Sequence, residues 1–165
     1  MSRHDIPIQL PSSAGPVAPD HQQDLLLDLS PDPKSKTELL WTFTAFDAAA
    51  GRRLDVAGTK YISVIKHGIT QFDLYLDDDY SFTPNPKAMM LSSSVPAEYR
   101  DNYTDLSYYD PKHIRFYARY INEKHGLVHQ CLFYAKPSHL ISSHFEPIDP
   151  DILNPGDRPH GLRHM

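Results

Sequence analysis

At 165 residues the chain fits one domain, and a hydrophobic share of 40% with seven Phe, ten Tyr and one Trp supplies the apolar surface of a folded core. A formal charge of −5 with no run of Lys or Arg excludes the usual electrostatic footprint of a nucleic-acid binder, and no window approaches the roughly 20 apolar residues that span a bilayer. Cys131 is the only cysteine, which excludes an intrachain disulfide, a CxxC redox pair and a multi-cysteine zinc site.

Prolines crowd both ends: Pro7, Pro11, Pro16, Pro19, Pro31 and Pro33 at the start, and Pro147, Pro150, Pro155 and Pro159 at the finish. Each removes a backbone donor and constrains the residue before it, so residues 1–37 are expected to form an extended Pro-rich arm with no long helix and no central strand. Within it Leu25, Leu26, Leu27 and Leu29 make a compact apolar run whose expected role is docking, on the chain's own core or on a neighbouring subunit. The first 15 residues carry no apolar stretch of signal-peptide length, which predicts a cytoplasmic protein or one released without a cleaved signal.

Residues 38–146 are expected to be the folded domain. Residues 38–47 place apolar groups on both faces and read as a two-sided strand, followed by a turn at 48–53. Residues 59–66 and 70–76 read as a hairpin about His67-Gly68, with Phe72, Leu74 and Leu76 inward and Gln71, Asp73 and Tyr75 toward water. Short strands are expected at 80–83 and 87–93. Then comes one short helix at 96–100, with Pro96 in its first turn and Ser94 as a candidate cap. Residues 113–121 alternate cleanly and are paired, as a second hairpin, with 126–135; a last strand is expected at 139–145. Residues 147–165 form an extended C-terminal tail able to add one more edge.

Seven to nine short strands with neither a repeat nor a βαβ rhythm predict an all-β protein, an antiparallel β-sandwich, with a β-barrel as the alternative closure of the same strands.

Chemistry is sparser. Ten histidines invite a metal or a general base, yet His125 and His129 would lie roughly 13 Å apart on a strand, too far to share an ion. A zinc site would have to gather His67, His113 and His129 from separate strands. Asp77-Asp78-Asp79 lacks the spacing of a calcium loop and reads as a solvated turn. The serines have no activating context, Cys131 sits mid-strand as a small apolar group, and single glycines make no phosphate loop. No catalytic residue, metal or cofactor is therefore assigned.

One surface pattern stands out. His113, Arg115, Tyr117 and Arg119 alternate along one strand, with Tyr108 and Tyr109 just upstream, and Arg and Tyr are the residues that dominate interface hot spots. The sequence thus predicts a non-catalytic binding or assembly module, a homo-oligomer or a subunit of a larger assembly, whose arms are ordered by packing on a protein partner. The alternative is a small enzyme or ligand-binding protein with a His/Tyr-lined pocket, using His129 or His67 as its base.

Overall fold

A computed structural model describes residues 6–54, 56–84, 87–140 and 145–156. It is mostly β. In chain order the strands are β1 (His21–Pro31), β2 (Leu39–Asp47), β3 (Arg52–Arg53), β4 (Ile62–Ser63), β5 (Ile69–Tyr75), β6 (Tyr80–Phe82), β7 (Met89–Leu91), β8 (Tyr103–Asp110), β9 (His113–Arg119), β10 (Leu127–Phe133), β11 (Ala135–Pro137) and β12 (Asp151–Asn154). A 3₁₀ helix at Ala97–Asn102 precedes β8; it starts after Pro96, and no side chain caps it, Ser94 included.

Strands β3-β2-β1-β5-β9-β8 form one open sheet, β4-β12-β10-β7 a second, and β11-β6 a two-stranded ribbon. None closes into a barrel. The two larger sheets face each other in a sandwich-like arrangement. Phe43 of β2 and Phe116 of β9 meet Phe133 of β10 across the gap, with ring centroids 6.1 and 6.5 Å away. Around them Leu27, Phe72, Leu74 and Ile114 of the first sheet and Met89, Leu91, Cys131 and Ile152 of the second are sealed from solvent. Burial of this kind is worth roughly 1.5–3 kcal/mol for each large apolar side chain, so the aromatic seam is a main source of cohesion.

Several expectations are corrected. The segment read as an arm without a central strand contains β1, hydrogen-bonded on both sides between β2 and β5. The prolines explain why: none lies between Pro19 and Pro31, and that eleven-residue strand meets proline only at its last position. The sheets are not purely antiparallel, because β1 runs parallel to β5 and β12 parallel to β4. Parallel neighbours need a long crossover, and the passage through β2, β3 and β4 supplies it for the first pair.

Neither expected hairpin forms. At His67-Gly68 the chain leaves the four-stranded sheet and enters the six-stranded one, so β4 pairs with β12 while β5 pairs with β1 and β9. Residues 120–126 likewise carry the chain from β9 in one sheet to β10 in the other. Consecutive strands pair antiparallel instead at β1–β2, β2–β3 and β8–β9; the last turns at Pro111-Lys112, and its first strand, Tyr103–Asp110, is absent from the sequence reading. At the C-terminal end, β12 is an interior strand between β4 and β10 rather than an added edge. Of the strand expected at 139–145, His139 and Leu140 close a turn, Phe145 lies outside any strand, and 141–144 lie outside the described residues. Residues 157–165 of the tail lie outside them too.

Residues 6–13 cross the open side of the sandwich. Ile8 exchanges two backbone hydrogen bonds of 2.8 Å with Leu91 on β7, and the Asp105 amide on β8 donates to the Pro11 carbonyl at 2.9 Å. Ser13 then donates its amide to Asp105 Oδ1 at 2.8 Å and its hydroxyl to Oδ2 at 2.5 Å. Those two bonds outweigh the opposing effect of burial and hold the Asp105 carboxyl below its ordinary range. Asp105 itself sits at a φ of 58°, at an irregularity in the β8–β9 register.

Candidate binding face

The outer face of the six-stranded sheet is built by the alternate residues of β1, β5 and β9. Their register sets Asp24 beside Asp73 and Asp73 beside Arg115 in one row. The row below holds Gln22, Gln71 and Tyr117, and the row above Leu26, Tyr75 and His113. A Gln-x-Asp pattern thus occurs on two parallel strands in register, which stacks amide on amide and carboxylate on carboxylate.

Asp73 is the centre. Although it lies on the outward face it is 1% exposed, and Gln71 is buried with it, where alternation alone had turned both toward water. The long side chains of neighbouring strands cover them. A buried carboxylate without partners would cost several kcal/mol, and here three donors offset that cost. Arg115 Nε donates to Oδ1 at 2.9 Å and Gln71 Nε2 to Oδ2 at 2.8 Å. His113 Nε2 stands 2.6 Å from Oδ1, which fixes the proton on that nitrogen because an ionised carboxylate only accepts. Burial opposes the charge on Arg115, yet the hydrogen bond and charge of Asp73 win and raise its guanidinium above its ordinary value.

Rings wall this cluster in. His113 stacks between Tyr75, at a centroid distance of 4.3 Å, and Tyr109, at 4.8 Å. Arg115 lies 5.0 Å from the Tyr109 ring centre and donates to its hydroxyl at 2.8 Å. Burial, reinforced by the charges of Asp24 and Asp73, pushes the Tyr75 hydroxyl up to about 12.

Of the stripe read from the sequence, His113, Arg115, Tyr117 and Tyr109 therefore share this face, and Arg119 is exposed at its end. Tyr108 stands apart: it pairs with inward-facing Ile114 and is exposed only because it lies at the tip of the hairpin. The leucine run is split by the pleat of β1. Leu25 and Leu27 enter the core and Leu29 packs against it, whereas Leu26 is buried on the outer face. Asp73, Gln71, Tyr75 and Asp24 were missed; the in-register Gln-x-Asp pattern was visible, but the pairing of β1 with β5 was not.

The other candidates lie elsewhere. His129 is 4% exposed inside the sandwich, where its Nδ1 shares a hydrogen bond of 2.5 Å with the Tyr103 hydroxyl and Asn154 Nδ2 donates to that hydroxyl at 3.0 Å. Burial lowers its basicity. His67 packs on Tyr120, with ring centres 4.1 Å apart. Among the described residues no three His, Cys, Asp or Glu side chains are grouped to hold a metal. Asp77 receives the Asp79 amide at 2.9 Å, as a turn does, and Cys131 is sealed in the core with its thiol raised by burial. A cleft of about 760 Å³ opens beside Trp41, Gln130 and Tyr134; its described lining contains no histidine, so it is not the pocket imagined around His129 or His67.

The chain matches no protein-family model and no curated protein. No helix among the described residues is long and apolar enough to cross a membrane.

Proposed function

We propose that the chain is a non-catalytic protein-binding module whose contact surface is the outer face of the six-stranded sheet around the β8–β9 hairpin. The observation that carries this reading is the locking of Arg115 between Asp73 and Tyr109 while Tyr109 remains 51% exposed and Arg119 is exposed at the far end of β9. An arginine and a tyrosine already held in place lose little entropy on contact, which is what makes such residues effective anchors. The described part of the N-terminal segment lies on the chain's own β7 and β8, so the binding role passes from the arms to this face.

The test is affinity capture with the purified chain and two variants, Tyr109→Ala and Arg119→Ser. Both side chains are exposed, so folding should persist by circular dichroism. Loss of the captured protein in either variant supports the proposal, and identical capture by all three chains refutes it.

A further inference from the structure

Three carboxylates lie on the outer face of β1 and β5, Asp24 beside Asp73 and Asp28 roughly 13 Å further along β1, and their partners differ. Asp73 has Arg115, His113 and Gln71. Asp28 has Arg53, whose Nη2 lies 2.8 Å from Oδ1. Asp24 is half-buried, and its one hydrogen bond among the described residues is a long one of 3.4 Å from the Gln22 amide.

The strand register explains the gap. On one side Asp24 adjoins Asp73, a second acid, whose partners Arg115 and His113 lie on the far side of it. On the other side the β1–β2 register, continued one residue beyond Leu25 and Ala45, brings Phe46 opposite Asp24. No position on either neighbouring strand delivers a cation to it. Burial raises the Asp24 carboxyl above its ordinary value and the Asp73 charge adds to it, outweighing the Gln22 hydrogen bond and the weaker fields of His113 and Arg115.

Phe46 and Tyr75 sit on strands that flank β1 and do not pair with each other, yet their ring centres are 5.2 Å apart. The rings therefore meet over β1 and form an aromatic wall beside Asp24. A carboxylate short of donors next to two rings is complementary to a cation that can accept both an ion pair and a ring face.

We propose that Asp24, walled by Phe46 and Tyr75, receives an Arg or Lys side chain of the protein partner. This rests on the protein-binding reading above and adds the chemistry of the partner: a basic segment lies over β1, while the exposed Arg119 beyond β5 faces its acidic or neutral part. The occupant is a protein side chain because Asp24 lies on the outer face of the same sheet as the proposed protein-contact surface, and its negative charge complements a basic side chain.

The experiment is a nitrogen-15 NMR titration of the full chain with acetyl-Gly-Arg-Gly-amide, using acetyl-Gly-Gln-Gly-amide as the uncharged probe. Saturable shifts of the residue 22–26 and Tyr75 amides with the first peptide and not the second are expected. Asp24→Asn should weaken that response about tenfold, the usual weight of a charge-assisted contact. Phe46→Leu, which keeps the charge and removes the wall, should also weaken it, while Val128→Ser on the opposite sheet should not. As a second readout, Asp24→Asn should melt no lower than the parent, because it removes a poorly partnered carboxylate. Equal shifts with the Gln peptide, or an unchanged response in Asp24→Asn, would overturn the proposal. The two readings fail separately, since capture that survives Tyr109→Ala and Arg119→Ser removes the wider face and the titration reports on Asp24 alone.

Discussion

Asp73 shows how a single residue sets the character of a whole surface. Removing Arg115 leaves its carboxylate buried with one cation fewer, so Arg115→Ala should lower stability by about 2 kcal/mol, less than a fully buried pair because Arg115 is partly exposed and His113 stays. Combining Arg115→Ala with Asp73→Asn should recover part of that loss, since the uncompensated charge then disappears; urea denaturation of the four chains measures both values. His129 gives a second test. Its folded value lies below the ordinary 6.5, so its contribution to stability is complete above about 6.5 and is lost as pH falls below it, when the unfolded chain binds a proton that the folded one refuses. Melting between pH 7.5 and 5 should fall less steeply in His129→Gln than in the parent.

Among the elements, β1 is the one whose position most changes how the molecule is understood. A truncation to residue 35 would take an interior strand out of the six-stranded sheet and expose the facing edges of β2 and β5, so the remainder should fail to fold. Removing residues 1–13 is different. It costs the Ile8–Leu91 bridge and the Ser13–Asp105 bonds but leaves every strand in place, so a cooperative transition at reduced temperature is expected. Thermal melts of both deletions followed by circular dichroism distinguish the two outcomes.

On the scale of the whole molecule, the strands nearest both ends are interior, β1 in one sheet and β12 in the other. Folding must therefore close contacts between residues far apart in sequence, the expensive step for β proteins. The C-terminal part also shields the thiol: the Cys131 amide donates to the Pro150 carbonyl at 3.0 Å, and its side chain is fully buried. A chain ending at residue 146 loses β12 and that cover. Cys131 should be inert to a thiol reagent in the native parent and titrate rapidly in the truncated chain; equal inertness in both would show that β12 is dispensable.

From local chemistry alone came the strand-rich character and the alternation that puts Phe72, Leu74, Ile114 and Phe116 inward. These were legible because pleat, β-branching and turn residues act over a few positions. The site is legible in part: the β9 stripe can be read, but its central partner Asp73 sits on another strand, where alternation alone turns it toward water. What only tertiary structure decided was which strand lies beside which, and so the parallel pairing that brings Asp24 against Asp73, the change of sheet at His67-Gly68, and the interior place of β1 and β12. The physical reason is that a backbone edge offers the same donors and acceptors to any strand. The choice among partners is made by the shared core and by loop closure, neither of which is written in a local pattern.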